Sequence, residues 1–178
     1  VIALGTNLYD ANGFRYDIQR DGDLNDGSND AYDGGLYLQL IQGASVSSFS
    51  GAAMGLVEEA GREVAIRQNG LRGLDVVRKI YVPAGGYFAR YLEILTNPGA
   101  TPVTLSVRIA TNLGSDGGTR LIATSSGDTS FAPDDYWLVT DDYDGGGDPS
   151  LAHVMGGPGA ARQLSAASLS SDSLSYTW

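Results

Sequence analysis

An all-β, antiparallel sandwich is the fold this sequence predicts, on three observations. The segment "VTLSVRIAT" alternates cleanly, with Val103, Leu105, Val107 and Ile109 on one side and Thr104, Ser106, Arg108 and Ala110 on the other. Glycine-rich and Asn-Pro turn signals recur between short apolar runs. Only Ala52 to Ala60 could carry a short helix, and Gly51, Gly55 and Gly61 weaken it. Many short strands joined by such turns form a sandwich or a barrel.

The elements follow in chain order. A strand is expected at Leu36 to Ile41. Val64 and Ile66 alternate with polar neighbours, and Asn69-Gly70 then reads as a turn. Val76 to Val82 is the next strand, broken by Pro83-Ala84-Gly85-Gly86. Tyr87 to Leu95 resumes it, with Phe88, Arg90, Leu92 and Ile94 on one face and Tyr87, Ala89, Tyr91, Glu93 and Leu95 on the other. Both faces are apolar enough for a central strand. Thr96 to Pro102 is a loop, and Val103 begins the alternating strand. Asn112 to Thr119 is a tight turn. Further strands are expected at Thr119 to Thr124, Tyr136 to Thr140, Ala152 to Met155 and Leu174 to Trp178. The serine-rich stretch Ser165 to Ser175 reads as a surface segment anchored by Leu164, Leu169 and Leu174. No repeat or linker divides the chain, so residues 1–178 are expected to be one sandwich domain. Val1 starts without a methionine or a basic leader, and "SLSYTW" ends on a strand. A piece of a longer multi-domain protein, or a processed one, is therefore expected.

Charge narrows the function. The net charge is −10 and the pI about 4.3. That balance disfavours nucleic acid, which needs a basic footprint, and anionic membrane surfaces. No apolar run is long enough to insert in a membrane. The absence of cysteine excludes disulfides, thiolate metal sites and thiol nucleophiles.

The acid is concentrated in loops. "RDGDLNDGSNDAYDGG" (Arg20 to Gly35) packs five aspartates, two asparagines and four glycines into one stretch, and Asp17 lies just before it. Asp21, Asp23 and Asn25 hold the first, third and fifth positions of a DxDxDG-type calcium loop, the spacing that turns oxygens inward around a hard cation. The sixth position is Asp26, where an EF-hand has glycine. Tyr32 occupies the twelfth, so Asp33 supplies the closing acid only if the loop holds one extra residue. Asp26 and Asp30 are further candidate ligands. The competing reading is a solvated turn in which Asp and Asn bond their own backbone. A second cluster, "TDDYDGGGDPS", offers Asp141, Asp142 and Asp144 for a second ion, with Asp134, Asp135 and Asp148 nearby. Oxygen ligands without cysteine point to calcium, Ca2+, over zinc or copper.

No hydrolase motif such as GxSxG is present. The single histidine, His153, lies on an apolar strand and reads as structural. Glu58 and Glu59 read as solvated. Glu93, mid-strand, is the unusual carboxylate, and Arg90 or Arg108 is the expected partner. Trp137 and Tyr143 are candidate sugar-stacking rings, against the alternative of ordinary edge-strand packing.

The stretches "VPAGGYFARYLEILTNPGATPVTLSVRIATNLGSDGG", "YWLVTDD" and "DPSLAHVMGGPG" resemble a β-sandwich module of large secreted or surface proteins of bacteria. They are also similar to the supersandwich domains attached to glycan-active enzymes. The resemblance implies an extracellular or cell-surface location and a non-enzymatic structural or adhesion role, with neighbouring domains or copies as partners. The alternative is a carbohydrate-binding or accessory domain, with glycans as ligands. The resemblance assigns no catalytic residue.

Overall fold

The computed structural model describes residues 1–142 and 147–178. In chain order its strands are β1 (Ile2–Ala3), β2 (Thr6–Tyr9), β3 (Arg15–Ile18), β4 (Tyr37–Gln42), β5 (Ser45–Ser48), β6 (Met54–Glu58), β7 (Glu63–Leu71) and β8 (Leu74–Tyr81). They continue as β9 (Arg90–Thr96), β10 (Ser106–Asn112), β11 (Arg120–Thr124), β12 (Trp137–Asp141), β13 (Leu151–Val154), β14 (Ala166–Ser170) and β15 (Ser173–Thr177). Two 3-10 turns, Glu59–Gly61 and Asp116–Gly118, are the helical pieces among the described residues.

The chain is an all-β antiparallel sandwich. One five-stranded sheet runs β1-β6-β7-β8-β9, and a second runs β14-β15-β10-β4-β5. A three-stranded sheet, β11-β12-β13, and the hairpin β2-β3 complete it. Val64, Ile66, Val76 and Ile80 of the first sheet join Leu38, Leu40, Ile109 and Leu174 of the second in one buried cluster. Each such side chain taken out of water contributes about 1.5–3 kcal/mol. Strand β8 alternates strictly between buried and half-buried positions, as a strand with one core face must.

The sheets differ from the sequence reading where pairing overrides local signals. The segment Ala52 to Ala60, where the sequence allows a short helix that its glycines weaken, carries strand β6, which pairs with β1 and β7, and the start of a 3-10 turn. Gly55 faces Val64 so closely that a Cβ there would lie 3.0 Å from its Cγ1. Asn69-Gly70 does not reverse the chain. Strand β7 passes through it with a register shift, and the turn falls at Arg72-Gly73, both at positive φ (53° and 79°). Two left-handed residues make the tight hairpin whose twist suits the flanking strands. Strand β9 begins at Arg90, leaving Tyr87 and Phe88 exposed in the loop before it. Strand β10 begins at Ser106. The serine-rich stretch is a β14-β15 hairpin, with β15 inside the sheet beside β10.

Candidate functional site: a cleft where the sheets meet

Strands β8 and β9 pair so that Arg78 lies opposite Glu93, Ile80 opposite Tyr91 and Val76 opposite Leu95. Their parity turns these side chains inward. Arg78 is fully buried. Its Nε makes an ion pair with Glu93 Oε1 at 3.1 Å. Nη1 donates to the Asp21 carbonyl at 3.1 Å, and Nη2 donates to the Leu36 carbonyl. The guanidinium carbon stands 4.7 Å from the centre of the Tyr91 ring. The expected partners of Glu93, Arg90 and Arg108, are bound elsewhere: Arg90 pairs with Glu63, and Arg108 donates to Gln39. Glu58 is not free in solvent either, since Lys79 bridges it and Glu63.

Above this pair opens a cleft of about 680 Å³, lined by β3, β8, β9, β10, β13, β15 and the Arg20–Gly35 loop. Its walls are aromatic: Phe14, Tyr16, Tyr32, Tyr91, Tyr176 and Trp178, with Tyr87 and Phe88 also in its lining. His153 joins Tyr32 and Tyr176 in the wall. Its Nε2 lies 3.5 Å from the Tyr32 hydroxyl, and its Nδ1 lies 3.4 Å from the Tyr176 hydroxyl. The three rings meet edge to face, and Tyr176 meets Trp178 the same way. Burial pushes the His153 imidazole down to about 4, so it is neutral at ordinary pH. Burial, with the Asp10 carboxylate beside it, lifts the Tyr16 phenol to about 12.

Polar atoms are left over in this cleft. Among the described residues, neither the Tyr91 hydroxyl nor Glu93 Oε2 has a hydrogen-bond partner, and both are shielded from solvent. Such groups cost about 1–3 kcal/mol each unless something else satisfies them. Burial raises the Glu93 carboxyl, and the Arg78 charge opposes that rise.

The acidic loop next to the cleft is closed by hydrogen bonds and an ion pair. Asp17, buried on β3, accepts from the backbone N–H of Asp26 (3.2 Å) and of Gly27 (3.0 Å). Asp26 is ion-paired to Arg15. Asp21 Oδ1 lies 3.4 Å from the Asp23 nitrogen. Asp23 is buried, and burial followed by the Asp21 carboxylate pushes its carboxyl up to about 7. Asn25, Asp30 and Asp33 are exposed. The Asp33 carboxyl is raised by desolvation, then by Asp116, Asp30 and Asp172. Leu24 ties the middle of the loop down through bridges to Ile18 and Gly35. Among the described residues no three acidic or histidine side chains are grouped as a metal-ligand set.

In the second cluster, Asp141 accepts from Ser150 Oγ at 2.8 Å and from the Asp142 nitrogen at 3.0 Å, and Asp142 accepts from the Asp148 nitrogen at 3.4 Å. Asp144 and Tyr143 lie outside the described residues. Asp135 is a loop anchor: burial alone would raise its carboxyl, but bonds from Ala132, Ser126 and Ser125 outweigh that and hold it low. Trp137 is 36% exposed on β12 and does not line the cleft.

Sequence reasoning grouped Tyr91, Glu93 and Leu95 on one face, but it missed Arg78. The signal was present: Arg78 shares parity with Val76 and Ile80, so a charge stands at a core-facing position. Comparison with known proteins returns no match, whether to a family model, to a curated protein or to a solved structure.

Proposed function

We propose that this sandwich is a non-enzymatic binding module of a secreted or cell-surface protein, and that it takes a glycan in the cleft between its sheets. One observation carries this reading. The cleft combines flat aromatic walls with unpartnered polar atoms at its floor. Sugars have both of the matching needs, since their C–H faces pack on rings while their hydroxyls require hydrogen bonds. A volume of about 680 Å³ is of the size that small-molecule sites occupy. Among the described residues no helix is long and apolar enough to cross a membrane.

A glycan array followed by calorimetric titration tests the reading. Retention of one sugar class is expected, lost in Phe88→Ala, whose ring is half-exposed in the cleft lining, and kept in Trp137→Ala. No retained sugar, or loss in Trp137→Ala alone, would move the function elsewhere. The second reading is a scaffold or adhesion segment. It is favoured by the outward face of the first sheet, where Met54, Leu56, Leu92 and Ile94 are exposed and could pack on neighbouring domains or copies.

A further inference from the structure

The cleft floor has a chemistry of its own, and the selectivity derived from it rests on the glycan reading of the cleft. Among the described residues three arginines line the cleft, and the positive charge of each is already engaged. Arg78 directs its donors to two carbonyls and Glu93. Arg15 is held by Asp26, with Asp17 3.9 Å away. Arg90 is turned to Glu63 and lies over the Tyr81 ring. An incoming anion would meet no free cation among them. Asp10, which also lines the cleft and accepts from the backbone N–H groups of Asn12 and Phe14, adds a negative charge that repels an anion further. Outside the Arg78–Glu93 ion pair, three buried atoms of the lining residues have no hydrogen-bond partner: Arg15 Nε, which donates, and, two residues apart on β9, Glu93 Oε2, which accepts, and the Tyr91 hydroxyl, which donates or accepts.

We propose that Glu93 and Tyr91 form a specificity-determining pair that selects an uncharged sugar ring over an anionic one, one ring hydroxyl donating to Glu93 Oε2 and a neighbouring one accepting from the Tyr91 hydroxyl. Arg78 is the positioning residue: its ion pair at Oε1 fixes the carboxylate and leaves Oε2 for the ligand. The structural role of Glu93, as counter-ion to a buried guanidinium, needs only Oε1. It explains neither the spare oxygen nor the unpartnered phenol beside it.

The test is calorimetric titration of the intact chain with methyl glucopyranoside, galactopyranoside and mannopyranoside, beside the methyl glucuronide. Binding of at least one neutral glycoside is expected, with the glucuronide at least tenfold weaker. Tyr91→Phe should melt like the parent yet lose about tenfold in affinity, equivalent to about 1.4 kcal/mol. Glu93→Gln should lose affinity comparably, with its fold checked by circular dichroism because Arg78 then loses its counter-charge. Neutral binding untouched by Tyr91→Phe overturns the pair and leaves the cleft reading standing. A glucuronide bound as tightly as the neutral sugars overturns the selectivity. Failure of every glycoside to bind overturns the pair and the glycan reading together.

Discussion

At the scale of single residues, two buried titratable groups pull stability in opposite directions as pH changes. His153 is 6% exposed, and its folded value of about 4 lies below the ordinary 6.5. Neutral His153 therefore contributes stability that is complete above about pH 6.5 and is lost as pH falls towards 4. Asp23 has the reverse sign. Its folded value of about 7 lies above the ordinary 3.8, so its contribution is complete below pH 3.8 and is lost as pH rises through 7. Each term is on the order of 3 kcal/mol at its limit. A chemical-denaturation series from pH 4 to pH 8 should show the opposition directly. Asp23→Asn should remove the loss on the neutral side, so that stability rises with pH until His153 is neutral. His153→Gln should remove the loss on the acid side. A parent profile unchanged by either substitution would mean that neither group titrates as its burial requires.

At the scale of elements, the Arg20–Gly35 loop is closed by backbone donors and one arginine. Asp17→Ala strips partners from two N–H groups and should cost roughly 2–4 kcal/mol in urea unfolding. Exposed Asn25→Ala, in contrast, should stay within about 0.5 kcal/mol in calcium-free buffer. Calcium held by Asp21, Asp23, Asn25 and Asp33 is a proposal with its own measurement, a melting curve in excess calcium and again in chelator. At a hundredfold excess over Kd, binding stabilises the fold by about 2.7 kcal/mol. That corresponds to roughly 5–10 °C in a domain of this size. Such a rise, abolished in Asn25→Ala, supports the ion, and coincident curves leave Asp17 and Arg15 as the closure. The same loop leans on Gly114, where a Cβ would lie 1.6 Å from the Asp30 carbonyl oxygen. Gly114→Ala must displace backbone and should cost at least about 1–3 kcal/mol.

At the scale of the whole molecule, Arg78 joins parts that are far apart in sequence. It rises from β8 in the first sheet, holds the carbonyl of Leu36 next to β4 in the second, and holds Asp21 in the acidic loop. Gly22 leaves room for its aliphatic stem, with a Cβ there coming within 2.9 Å of Arg78 Cδ. Arg78→Met would keep the volume and lose every polar contact, leaving Glu93 buried and unpaired. Equilibrium unfolding should show a loss of about 3–5 kcal/mol. Pairing that change with Glu93→Leu should recover a large part of it, since removing both charges also removes the orphan. No recovery in the double variant would place the importance of Arg78 in its carbonyl bonds alone.

The sequence by itself determined the all-β class, the shared face of Tyr91, Glu93 and Leu95, and the structural reading of His153, because side-chain alternation is a local property of a strand. It also marked where acid gathers. Only the tertiary structure decided what those acids do: Asp17 and Asp26 are satisfied by donors nine or more residues away, and Glu93 by an arginine fifteen residues away on a paired strand. The two strand starts at Arg90 and Ser106, and the reversal at Arg72-Gly73 instead of Asn69-Gly70, were likewise decided by which neighbour completes the ladder. The cleft was invisible for the same reason. Its walls come from strands spread between Asp10 and Trp178, and a cavity is a property of how sheets pack, which no local spacing encodes.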